Sequence, residues 1–171
     1  MMRKLFLLFC LLCLPLFPAQ ADEINWAELE PFAADAGLTG RFHILEDVGL
    51  KLWLPDAYSR MELTQEDIEN EFIAYFSTAD NASAVGVTCT MADVPDLESY
   101  AGMLPELKAQ DLSLDTINGM DAVSCIIPDS ESYNVAFMPV PGQLLEFVLT
   151  PVSDDSSAYT ASLIAASIQS E

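Results

Sequence analysis

Residues 118–150 read NGMDAVSCIIPDSESYNVAFMPVPGQLLEFVLT, and the pattern of this stretch indicates the fold class. Asn118-Gly119 is a turn signal. The apolar run that follows it, Met120–Ile127, predicts a strand. Two further strands are predicted over Tyr133–Met138 and Gln143–Thr150, joined by a Pro-Val-Pro-Gly turn. Successive strands joined by short loops indicate an antiparallel sheet.

The same strand pattern occurs twice more upstream. Gly40–Glu46 and Gly49–Leu54 alternate in polarity and predict a first hairpin. Glu71–Thr78 and Ala84–Met91 predict a second hairpin around a loop with Asp and Asn turn chemistry. These strands extend the sheet beyond the C-terminal part of the chain.

Helical segments are predicted on either side of these strands. An N-terminal helical segment covers 22–38. Thr64 caps a short helix, and Asp67 three residues on is predicted to complete a capping box. Asp96 caps a longer helix, which the apolar spacing extends to Leu107. A closing helix begins in 154–157. Strands with helices packed on them define an α+β class.

The element order and several short motifs resemble the PsbP-like α/β sandwich of small bacterial exported proteins. The motifs are the turn at 52–56, the helix start at 96–100, TINGMDAV at 116–123 and the ending AASI at 165–168. The resemblance covers roughly residues 40–170. It implies an antiparallel sheet with helices packed on it and a non-enzymatic role as an accessory or binding module. It supplies no set of functional residues to transfer to positions in this chain.

The first 21 residues have the three parts of a cleavable secretory signal peptide. Basic residues Arg3 and Lys4 precede an apolar run that is too short to span a membrane, and Ala-Gln-Ala ends at Ala21. We therefore expect a secreted or extracytoplasmic protein of the cell envelope or periplasm. Residues 22–171 are predicted to form a single acidic domain, in which 40–171 form the sandwich, and no later segment is apolar enough to span a bilayer.

Charge narrows the range of partners. The chain has 27 acidic residues against six Lys and Arg, for a formal net charge of −21. Nucleic acid is excluded as a partner, because neutralising its phosphates requires many basic side chains. Anionic membrane surfaces are disfavoured for the same reason. A basic protein partner, divalent cations and simple solubility remain as explanations of the acidity.

Carboxylates are densest at Glu66, Asp67, Glu69 and Glu71, here called the 66–71 acidic patch. The patch is a candidate surface for a basic partner or for a cation such as calcium, and a solvated helix face is the alternative. No calcium-binding loop motif is present in the sequence, so a calcium site would have to be assembled in space.

Cys89 and Cys125 are the two cysteines after the predicted cleavage point, and both lie within predicted strands. A disulfide between them is expected in an exported protein if their strands are neighbours, and two buried free thiols are the alternative. No basic side chain is near either cysteine in sequence to stabilise a thiolate nucleophile.

No catalytic, metal or cofactor site is predicted. His43 is the single histidine, so any catalytic triad would have to include it, and the strand pattern places it opposite Phe42 and Ile44. Trp53 and Tyr75 are predicted to be core residues if helices cover both sheet faces, and a ligand patch otherwise. The sequence therefore predicts a non-enzymatic binding module of unknown ligand. The alternatives are a calcium-binding protein and a small carboxylate-dependent hydrolase.

Overall fold

The computed structural model describes residues 23–171, and the predicted signal peptide lies outside this range. The strands are β1 (Glu23–Ile24), β2 (Gly40–Leu45), β3 (Leu50–Pro55), β4 (Tyr58–Arg60), β5 (Phe72–Thr78), β6 (Ala84–Met91), β7 (Gln110–Ile117), β8 (Met120–Ile127), β9 (Ser132–Val140), β10 (Gln143–Thr150) and β11 (Gln169–Ser170). The helices are α1 (Trp26–Asp35), α2 (Gln65–Glu69), α3 (Leu97–Met103) and α4 (Asp155–Ala166).

The strands form two sheets. The large sheet has the order β1-β7-β8-β9-β10-β6-β5-β4, and the small sheet has the order β11-β3-β2. Neighbouring strands are antiparallel except β1 and β7, which are parallel. The predicted α+β class with an antiparallel sheet is confirmed, and β8 and β10 have the predicted bounds.

The main core lies between the two sheets and includes one side of α4. The inner face of β3 contributes Leu52 and Leu54, which are fully buried. Phe76 and Phe147 from the large sheet and Ile164 from α4 pack in the same cluster. Burial of each such side chain contributes about 1.5–3 kcal/mol, so this layer supplies most of the apolar stabilisation.

A second cluster covers the outer side of the small sheet. Trp53 points away from the main core and lies against Trp26 of α1, with ring centroids 5.4 Å apart. Ala33 and Leu163 complete this cluster. Trp53 is only 7% exposed, which confirms the prediction that it is a core residue.

The opposite face of the large sheet is covered in part by α3. Ala101 and Leu104 pack on Val123 of β8. Farther along the sheet, Tyr75 is half-buried beside Phe72, with ring centroids 6.3 Å apart. A register shift in β5 places these two rings together, so Phe72 does not follow the alternation predicted from the sequence.

Asn118, in the turn between β7 and β8, connects three parts of the chain. Its Oδ1 accepts a hydrogen bond of 2.7 Å from the Trp26 amide. Its Nδ2 donates to the carbonyls of Ala166 and Ile168, both at 2.8 Å. The backbone φ of Asn118 is +48°, in the left-handed region that asparagine tolerates better than most residues. This side chain therefore fixes the starts of α1 and β8 against the end of α4.

Four strands were not predicted. β1, β4 and β11 have two or three residues each, too few to show an alternating pattern, and β1 lies within the segment 22–38 that was predicted to be helical. β7 is longer, but only Ile117 at its end is buried, and the exposed Leu112 and Leu114 break the expected periodicity. The predicted longer helix ends at Met103 and continues as a 3-10 turn that contains Pro105.

We predict that Asn118→Ala lowers the free energy of unfolding by about 3 kcal/mol, because an amide donor and two carbonyls lose their partner. Asn81→Ala is the matched control, since Asn81 is exposed, has a φ of +55° and accepts one hydrogen bond, from Ser77. The free energy of unfolding of the Asn81→Ala variant should fall by about 1 kcal/mol or less. Urea denaturation measures both, and equal losses would show that Asn118 acts only through its backbone conformation.

Candidate functional site

A cleft of about 680 Å³ opens at one end of the large sheet. The β8–β9 ladder begins at the pair Ala122–Phe137, so the first two residues of β8 have no partner in β9. The β9–β10 ladder is also irregular at this end, between Gln143 and Leu145. The cleft lies at this end of the sheet, where the pairing of β8, β9 and β10 is incomplete.

The floor of the cleft is apolar and is formed by both layers of the fold. Leu50 belongs to the small sheet and Leu97 to α3, so the cleft lies between these two elements. The other apolar lining residues are Pro95, Leu114, Met120, Ala122, Phe137, Met138, Pro139, Pro141 and Leu145.

Four carboxylates line the rim: Asp96, Glu98, Asp115 and Asp121. Within the described chain, no lining residue is basic. Hydrogen bonding from Ser99, through its side chain and its backbone, lowers the pKa of Asp96. Asp96 also caps α3, so it stays ionised while it holds the helix that forms one wall. The cleft thus combines an apolar floor with an anionic rim.

The 66–71 acidic patch lies elsewhere, on and just after α2 beside β5. In the sheet order, β9, β10 and β6 separate β5 from β8 of the cleft. Asp67 accepts hydrogen bonds of 2.7 Å from the Thr64 amide and hydroxyl, which completes the predicted capping box and lowers the pKa of Asp67. Glu69 accepts a hydrogen bond from Gln65. Among residues 23–171, no group of three or more His, Cys, Asp or Glu is arranged to hold a metal ion.

The candidate disulfide between Cys89 and Cys125 is absent, and this expectation was wrong. Both thiols are free. Cys89 lies on β6 and Cys125 on β8, with β9 and β10 between them. Three strand spacings amount to about 14 Å, well beyond the Cα separation of about 4.4–6.8 Å that a disulfide spans. Cys89 also packs toward the main core, whereas Cys125 faces α3.

A polar network under α3 surrounds Cys125. Glu146 Oε1 accepts hydrogen bonds from the Tyr100 hydroxyl at 3.3 Å and from Asn134 Nδ2 at 2.8 Å. Burial and the charge of Glu146 raise the pKa of Cys125 to about 11. The thiol therefore stays protonated near neutral pH and is a poor nucleophile. This network was not predictable from the sequence, because its members come from three separate elements.

His43 lies on the inner face of β2, opposite Phe42 and Ile44 as predicted. Its ring is 5.1 Å from the ring of Phe76. Burial lowers the pKa of His43, and the charges of Arg41 and Arg60 lower it further. The imidazole is not among the residues that line the cleft.

The fold resembles the PsbP-like α/β sandwich. The structure is similar to the solution structure of cyanobacterial PsbP (CyanoP) from Synechocystis sp. PCC 6803. The TM-score is 0.54, the sequence identity is 10%, and the match covers 78% of this chain and 94% of that chain. At this identity the likeness shows the fold alone. No family model and no curated protein sequence matches the chain.

No helix within residues 23–171 combines the length and the apolar character needed to cross a membrane.

We predict that iodoacetamide modifies Cys89 faster than Cys125 in the folded protein. Cys89 is half-buried, whereas Cys125 is buried and its thiol has a raised pKa. Peptide mass spectrometry after timed labelling at pH 8 reports each site separately. After non-reducing denaturation both cysteines should be labelled, and a disulfide-linked peptide containing both would contradict the observed strand order.

Proposed function

We propose that this protein is a secreted or envelope-located, non-enzymatic module that binds a basic, amphipathic peptide segment of a partner protein in the cleft. The observation that carries the proposal is the apolar floor ringed by four carboxylates without a basic lining residue. A ligand that matches both features must present an apolar side chain together with a positive charge.

The dimensions of the cleft suit a short segment of chain. A volume of about 680 Å³ lies within the usual range for ligand-binding pockets and accommodates a few side chains. Burial of apolar ligand atoms on Leu97, Leu114 and Met120, which are all accessible, would supply most of the affinity. The rim carboxylates would attract and orient lysine or arginine side chains, and this contribution falls with added salt.

The setting of the rim carboxylates supports a binding role over hydrolysis. A carboxylic acid that acts as a general acid near neutral pH is usually held in apolar surroundings that raise its pKa. Asp96, Glu98 and Asp121 are exposed, and Asp115 is half-buried. The PsbP-like fold and the predicted signal peptide support the assignment to an extracytoplasmic accessory module.

The first test is binding of an acetylated hexapeptide of alternating leucine and lysine, measured by calorimetry in low salt. We predict that the double variant Glu98→Gln/Asp121→Asn weakens binding about tenfold, equivalent to about 1.4 kcal/mol. A hexapeptide of alternating serine and lysine should bind much more weakly, because it lacks side chains for the apolar floor.

The matched control is Glu66→Gln/Glu69→Gln, which removes two charges from the 66–71 acidic patch and should leave the affinity nearly unchanged. Equal weakening by both double variants would show that the peptide responds only to net charge, and the cleft would lose its assigned role. Leu97→Ser removes an apolar side chain of the cleft without a change in charge, and it should weaken binding of the leucine-lysine peptide.

A further inference from the structure

Basic side chains are few, and two of them lie together without acidic partners. Within residues 23–171, Lys108 forms the one ion pair, 2.7 Å from Asp129. Lys51 lies on the outer face of the small sheet, where its ammonium is 5.3 Å from the centroid of the Phe42 ring. The remaining two are Arg41 and Arg60.

Strand register places Arg41 and His43 on the inner face of an edge strand. Arg41 is opposite Leu54 and His43 is opposite Leu52 in the β2–β3 ladder. Directly opposed residues share a face, and both leucines are buried in the main core. Arg41 and His43 therefore project from the inner face of β2, which is the edge strand of the small sheet.

Arg60 reaches the same place from the large sheet. It lies opposite Phe76 in the β4–β5 ladder, and β4 is the edge strand of that sheet. The Arg60 guanidinium carbon is 5.9 Å from the centroid of the Phe76 ring, which His43 also contacts. Phe76 thus forms the floor between one guanidinium and the imidazole, and the charge of Arg41 also acts on that imidazole.

The chain has 27 acidic residues, yet none of those within residues 23–171 pairs with either arginine. Within residues 23–171, neither guanidinium takes part in a salt bridge, and none of the side-chain hydrogen bonds involves Arg41 or Arg60. Each guanidinium presents five N–H donors in a planar fork that matches the oxygens of carboxylate and phosphate. Placing two such groups close together without an anion costs repulsion between like charges.

We propose that Arg41, His43 and Arg60 form a binding site for a small oxyanion of the carboxylate or phosphate class, at the edge between β2 and β4. The ligand is compact because the net charge of −21 repels polyanions such as nucleic acid and anionic membranes. A second role for inward-pointing charges on edge strands is to prevent pairing with strands of other molecules. That role alone predicts no specific anion affinity.

The single histidine of the chain makes the site directly observable. His43 has one set of imidazole proton resonances, which we would follow while the purified protein is titrated with inorganic phosphate, with succinate and, at equal ionic strength, with sodium chloride. Phosphate or succinate should shift these resonances along a saturable curve, and chloride should not. Comparison of phosphate with succinate identifies which oxyanion class the site prefers.

Single substitutions distinguish a specific anion site from a general effect of positive charge on the surface. Arg41→Gln and Arg60→Gln should each weaken the apparent affinity at least tenfold. Arg60→Lys should give an intermediate loss, because it keeps the charge but not the fork. Lys51→Gln is the matched control, since it removes the same charge from the outer face of the same small sheet, and it should leave the affinity unchanged.

Thermal melting of each variant checks that the loss of anion affinity is not caused by unfolding. Both arginines are exposed, so the melting temperature of each variant should stay close to that of the parent protein. The proposal is overturned if the His43 resonances respond to phosphate and succinate no more than to chloride. It is also overturned if the arginine variants bind as the parent does, or if they aggregate while the parent shows no saturable anion response.

Discussion

The side chain of Asn118 is the interaction on which the placement of the cleft depends. It accepts a hydrogen bond from the backbone amide at the start of α1 and donates hydrogen bonds to two carbonyls at the end of α4. The backbone of Asn118 is in the left-handed region and lies in the turn that reverses the chain between β7 and β8. Met120 and Asp121 follow within three residues and line the cleft. Ile168 directly precedes β11, which pairs with β3, so Asn118 also connects the β7–β8 turn to the small sheet that supplies Leu50 to the cleft.

Two regions of the surface carry charges of opposite sign. The cleft lies at the end of the large sheet where the pairing of β8 with β9 is incomplete, and it has an anionic rim around an apolar floor. The edge between β2 and β4 carries two guanidiniums and the single imidazole over an aromatic ring. Elsewhere the surface is also acidic, and this excess repels polyanions. The two regions suit ligands of opposite charge: the anionic rim attracts cations, and the two arginines supply a positive local field that differs from that of the rest of the surface.

Local patterns in the sequence were enough to predict the strands β8 and β10 and the capping box of Thr64 and Asp67. Features that depend on strand order were not predictable. The disulfide was expected because both cysteines lie within strands, but alternation does not show that two other strands intervene. The cleft was missed because α3, the small sheet and the strands β7–β10 each supply part of its lining. Similarly, strand alternation was enough to place His43 opposite Phe42 and Ile44, but its proximity to Arg60 depends on how two sheet edges meet.

Amide shift mapping tests the role of the cleft most directly. The ¹⁵N-labelled protein would be titrated with the leucine-lysine hexapeptide, and the shifts of the backbone amides would be followed by nuclear magnetic resonance. Binding in the cleft predicts saturable shifts concentrated at Glu98, Leu114 and Asp121, with amides of the 66–71 acidic patch nearly unmoved. Shifts that are strongest in the acidic patch, or spread evenly over all acidic surfaces, would contradict a binding module centred on the cleft.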